Sequence, residues 1–195
     1  MRFDIVKPIL AFMTELDAIW SQMLLEAGAQ ASERGSHHVA EYLRLRASND
    51  AIRARGVAWL IDVFIELATD AQRDNPNIKI ERVEPHEFAL GSSTMVGTQL
   101  FVRHGVRCLT IEAGWARIPI HGIMRKGALA VASITHFGVP NAGVSIRLVH
   151  NDDDVPRWID DDDARIDTSV IERHIDVLID KIFSRKAAKN AKDKS

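Results

Sequence analysis

Apolar residues recur at intervals of three and four through the first 75 positions. Ile9, Phe12, Met13, Leu16, Ile19, Trp20, Met23, Leu24 and Ala27 form one such stripe. That period belongs to one face of an amphipathic helix. Pro8 suits its first turn, where a missing N–H costs nothing. Arg34-Gly35-Ser36 reads as a stop followed by a new start. A second stripe begins at Val39, Tyr42 and Leu43. A third runs through Ile52, Val57, Leu60, Ile61, Phe64, Ile65 and Ala68, with Ser48 or Asn49 as its cap. Asn75-Pro76 closes the helical region, because the residue before proline avoids the helical conformation. The pattern predicts two long antiparallel helices with a shorter or bent piece between them.

The period changes after residue 77. Ile78, Ile80 and Val83 are spaced as in a short strand, and Val96–Val102 and Val106–Ala113 are apolar and β-branched. His104-Gly105 between them predicts a two-residue hairpin turn. That register pairs Phe101 with Cys108 and Leu100 with Leu109, and sets Gly97 opposite Glu112. One face then carries Leu100, Val102, Leu109, Ile111 and Trp115. The other carries Gln99, Phe101, Arg103, Cys108, Thr110 and Glu112. Two further strands are expected at Ala128–Phe137 and Val144–His150. The aspartate-rich stretch around Pro156 and Trp158 reads as loop or irregular edge. Asp167 then caps a helix with Val170, Ile171, Ile175, Leu178, Ile179 and Ile182 on its stripe.

The fold class expected is α+β: an N-terminal helical pair, an antiparallel meander of about five strands and a C-terminal helix. The boundaries are 1–76 for the helical part, 77–150 for the sheet and 151–185 for the acidic loop and last helix. Together they make one domain, with a disordered basic tail at 186–195. The helical stripes hold more apolar residues than their own chain can cover, so a homodimer through the N-terminal helices is expected.

Composition narrows the picture. With 46% hydrophobic and 27% charged residues, the 195-residue chain is an ordinary globular one. Its single cysteine, Cys108, excludes an internal disulfide framework. The absence of an early apolar run or a membrane-length segment points to a cytoplasmic protein. The net charge of −2 is a cancellation. Residues 1–78 carry −3, 79–150 carry +4, 151–180 carry −8 and 181–195 carry +5. The acidic segment is expected to lie against arginines of the basic sheet, as an electrostatic partner or a lid.

Candidate chemistry is sparse. His37 and Glu41 have ligand spacing on a helix but lack further ligands. The sheet histidines show no metal signature, and the aspartate run lacks an EF-hand order. No metal or cofactor is expected. Cys108 reads as a packed, buried thiol. The Gly122–Gly127 loop with Arg125 and Lys126, and the loop Gly91-Ser92-Ser93-Thr94, have no phosphate-loop spacing.

The polar hairpin face remains. Gln99, Phe101, Arg103, Thr110 and Glu112, with His121 and Arg125 from the following turn, are the candidate ligand-binding residues for a small polar or anionic molecule. The leading expectation is a binding or interaction module without catalysis of its own. The alternative is a small enzyme in which Glu112 exchanges protons, partnered by His121 or Arg125. A third reading places nucleic acid on the stripe from Arg44 to Arg55. The apolar helix that follows disfavours it.

Overall fold

A computed structural model describes residues 6–91, 93–116, 127–150 and 156–179, with side chains from Ile19 onward except Ser21. Two helices open the chain, α1 (Val6–Glu33) and α2 (His37–Asp74). They are joined at Gly35, whose φ of 75° is the left-handed conformation that glycine adopts without strain. The second and third stripes belong to one 38-residue helix, so the expected shorter piece does not exist. No proline or glycine falls between His37 and Arg55 to interrupt it. Arg53 reaches back to Asp50 at 2.7 Å within it, an i,i+3 pair that needs continuous helix.

The chain divides into two compact units between Arg55 and Gly56, inside α2. In the first, α1 and the start of α2 approach closely. A side chain at Gly28 would lie 3.6 Å from the Ala40 carbonyl oxygen and 3.7 Å from Leu43 Cβ. Its buried positions are Leu24, Gly28, Ala40, Ala47 and Ile52, mostly small residues.

The second unit holds a six-stranded antiparallel sheet and the rest of α2. The strands are β1 (Lys79–Leu90), β2 (Ser93–His104), β3 (Arg107–Ala116), β4 (Ala130–Phe137), β5 (Val144–Val149) and β6 (Arg157–Ile159). They pair in sequence order, a simple meander. The last helix, α3 (Thr168–Leu178), starts where Asp167 accepts from the backbone N–H groups of Ser169 and Val170. The α+β class is as expected, with one more strand. That strand, β6, forms inside the stretch read as loop, because Trp158 pairs with Leu148 and is buried.

The core lies on one sheet face. Leu100, Val102, Leu109, Ile111 and Ala113 are fully buried there. Above them Leu60, Ile61, Phe64 and Ala68 of α2 are also fully buried, at helical spacing. Ile171, Ile175 and Leu178 of α3 join them, and α3 packs on β3.

The β2–β3 turn differs from expectation by one residue. His104 pairs with Arg107, so the loop is Gly105-Val106. Gly105 has φ 60° and Val106 does not have positive φ, the type II′ pattern with glycine at the first loop position. The register therefore slides by two: Leu100 faces Ile111 and Gln99 faces Glu112. Because a slide of two preserves side-chain direction, both predicted faces of the hairpin survive. Gly97 does not stand opposite Glu112. It pairs with Gly114, where the strands are so close that a side chain would sit 1.9 Å from the Ala113 carbonyl oxygen.

Arg147, expected on a plain strand, is buried. Its guanidinium donates to the Asp160 carbonyl at 3.0 Å and to the Asp163 carboxylate, with Asp161 at 3.8 Å. The acidic turn at 160–163 thus meets one sheet arginine. The expected tail at 186–195 lies outside the described residues, as do Asp152 to Asp154. No helix among the described residues is long and apolar enough to cross a membrane.

Candidate functional site

The second sheet face carries the candidate polar residues. Along β1 the alternation is broken once: Val83 pairs with Gln99, but His86 pairs with Gly97. Two residues, Glu84 and Pro85, thus oppose the single Thr98, which is a β-bulge. Without that extra residue His86 would point to the core. With it, His86 and Phe88 join Gln99 and Glu112 on the same face.

The result is a convergence from three strands on one atom. Oε1 of Glu112 (β3) lies 2.9 Å from Nε2 of His86 (β1) and accepts from Nε2 of Gln99 (β2) at 3.0 Å. An ionised carboxylate can only accept, so the hydrogen between His86 and Glu112 belongs to Nε2. Nδ1 remains the ring's second polar atom. The side chains of His86 and Glu112 are 19% and 32% exposed, which leaves them reachable by a small molecule. The His86 ring stacks on Phe88 with centroids 5.7 Å apart and planes 10° from parallel.

Beside this cluster, the Arg103 guanidinium lies 4.5 Å from the centre of the Phe101 ring. It donates to Glu81 at 2.6 Å. Cys108 is half-buried rather than buried, and its Sγ is 3.6 Å from Oγ1 of Thr110. Of the residues singled out in the sequence, Gln99 and Glu112 come into direct contact. Phe101 and Arg103 form a neighbouring pair, and Thr110 sits with Cys108. His121 and Arg125 lie outside the described residues. His86 enters the sequence reading only as one of the sheet histidines weighed for a metal, not among the ligand-binding candidates. Its only signal there is Glu84-Pro85, a proline inside a strand pattern, which belongs at an edge or a bulge.

The core face holds a second histidine contact. Nε2 of His136 on β4 is 2.9 Å from Nδ1 of His174 on α3, and their rings stack with centroids 5.2 Å apart. Phe64 tilts against His174 at 6.4 Å. Burial lowers the pKa of His136. His174 is lowered to about 4, by burial first and then by the charges of His136 and Arg173. Two neutral imidazoles can share one hydrogen; two protonated ones would repel. Among the described residues no three His, Cys, Asp or Glu side chains are grouped to hold a metal ion.

No family model, no curated protein and no solved structure matches this chain.

Proposed function

We propose that the chain is a binding module whose polar sheet face takes a small polar ligand at Glu112. One observation carries this: side chains from two neighbouring strands, His86 and Gln99, converge on Oε1 of Glu112 on a third, on the face opposite the buried core. Holding two donors on a half-exposed carboxylate fixes its position in advance, which lowers the cost of ordering on binding. Phe88 and Phe101 flank it with apolar surface. A carboxylate centre favours a ligand bearing an N–H, O–H or ammonium donor. His121 and Arg125, which the sequence adds to the candidates for a polar or anionic molecule, lie outside the described residues.

A second reading is supported by the His86–Glu112 contact itself. A carboxylate that orients an imidazole is the second half of many acid–base devices. Among the described residues, the histidine in contact with Glu112 is His86.

The test is a screen of small amines, amides and polyols against the isotopically labelled full chain, read by backbone amide shifts. Ligands of this site are expected to move Gln99, Thr110 and Glu112, and to lose roughly tenfold in affinity with Glu112→Gln, as when a hydrogen-bonded charged partner is removed. Hits indifferent to Glu112→Gln and to His86→Gln overturn the proposal. Turnover of any hit, lost in His86→Gln, supports the catalytic reading.

A further inference from the structure

From Ile19 onward, most of the apolar stripe of α1 is not the face that α1 turns to α2. Ile19, Trp20 and Met23 are 51%, 46% and 56% exposed, and among the described side chains of the stripe only Leu24, at its edge, is buried. The close approach to α2 is made instead at Gly28, against Ala40 and Leu43. Across the helix pair, Arg46 of α2 lies over the Trp20 ring at 5.7 Å. The exposed stripe is therefore continuous with the side of α2 that carries Val39 and Tyr42, 50% and 56% exposed.

Large side chains carry ~150–250 Å² each, so five of them about half-exposed present on the order of 500 Å² of apolar surface. That is already near the largest patch a monomer usually shows, and most of the ~800 Å² each partner contributes to a stable dimer. The same spacing continues in the sequence through Leu16, Phe12 and Ile9.

Charge selects the occupant. From Pro8 to Glu33 the chain has four acids, Glu15, Asp17, Glu26 and Glu33, and no base. From His37 to Arg55 it has four arginines against Glu41 and Asp50. A second copy turned about a twofold axis supplies the opposite sign to each helix.

We propose that this two-helix unit is a homodimerisation surface, in which the face bearing Ile19, Trp20, Met23, Val39 and Tyr42 packs on the same face of a second copy. The acidic α1 of one copy lies against the arginine-bearing part of α2 of the other. The product is a four-helix arrangement with an isologous interface.

Sedimentation velocity of the full chain across a hundredfold range of micromolar concentration tests it, with circular dichroism as the check on folding. A dimer is expected, weakened by added salt. Met23→Glu and Tyr42→Glu, at exposed positions on different helices, are each expected to raise its dissociation constant roughly thirtyfold or more while helix content stays constant. Leu25→Glu is the control: Leu25 is 55% exposed but roughly 200° round α1 from Met23, and the dimer should tolerate it. A monomer throughout overturns the proposal, including one that instead sediments with anionic lipid vesicles or with another protein. A dimer indifferent to both variants, or equally disrupted by Leu25→Glu, overturns it too.

Discussion

The indole N–H of Trp158 donates to the carbonyl oxygen of Gly56 at 3.0 Å, across 102 positions of sequence. The contact ties the short last strand to α2 just where the second unit begins. Gly56 is also closely packed by β5: a Cβ there would fall 2.4 Å from Leu148 Cδ2, and Leu148 pairs with Trp158. Trp158→Phe keeps most of the ring and removes the donor, so it should lower stability by about 1 kcal/mol. Trp158→Ala also empties the space and should lower it by about 3–5 kcal/mol. Urea unfolding midpoints measure both. A Phe variant as stable as the parent would mean that the hydrogen bond contributes nothing.

Gly97 separates two reasons for a glycine. Its missing side chain would sit 1.9 Å from one backbone atom and 2.5 Å from the Gly114 Cα, neither of which can step aside. Gly97→Ala should therefore leave little folded protein, or reduce stability by more than about 3 kcal/mol. Gly138 has open space around it but φ 89°. Gly138→Ala meets only the backbone preference and should cost about 1–2 kcal/mol. Thermal unfolding of the two side by side makes the comparison, and equal losses would contradict it.

What could be seen in the sequence, and what could not, divides along a physical line. Side-chain direction alternates strictly, so the partition of Leu100, Val102, Leu109 and Ile111 from Gln99, Phe101 and Glu112 was legible. It survived a turn placed one residue early, because the slide that follows is even. The partner of Glu112 was not legible. His86 reaches that face only through a bulge, and a bulge is decided by pairing with a strand 11 to 16 positions away rather than by local pattern. The cap at Asp167 was legible because it acts within three residues. The burial of Arg147 was not, since its partners sit on a turn whose aspartates look like any solvated acidic run. Ser48 and Asn49 suggested a helix start; with no glycine or proline nearby, the helix simply continues through them.

The His136–His174 contact sets a pH dependence. The unfolded histidines titrate near ~6.5. In the folded chain His174 titrates near about 4 and His136 is also lowered, both chiefly by burial. The unfolded state thus binds more protons between those values, so stability is full above about 6.5 and falls as the pH drops towards 4. His174 alone accounts for a loss on the order of 3 kcal/mol over that span. Asn at position 174 keeps an amide near Nδ1 but cannot titrate. His174→Asn should flatten the slope of unfolding free energy against pH in this window. A slope unchanged by the substitution would assign it to other groups.

Arg147 and Asp163 give a separable pair of effects. Asp163 has φ 63°, the left-handed region that asparagine and aspartate tolerate better than alanine. Asp163→Asn keeps the conformation and an acceptor for the guanidinium, and should lower stability by less than about 1 kcal/mol, as for a pair with one exposed partner. Asp163→Ala loses the acceptor and strains the backbone, and should lose about 2 kcal/mol. Arg147→Ala should lose at least as much, because it also removes the donor to the Asp160 carbonyl and leaves space in a buried region. Denaturant titrations rank the three. An Asn variant as weak as the Ala variant would show that charge, not shape, holds the turn.

The bulge that brings His86 to Glu112 lies on a strand with a free outer rim among the described residues. A meander of six strands has two ends, and β1 is the longer of the two end strands. Twelve residues of extended backbone would ordinarily invite a second molecule to add its own strand there. Pro85 has no backbone N–H to offer a pairing strand, and beside it Arg82 and Glu84 are held in an ion pair with each other. The same bulge that assembles the polar cluster therefore also interrupts the regular edge on which another strand could pair.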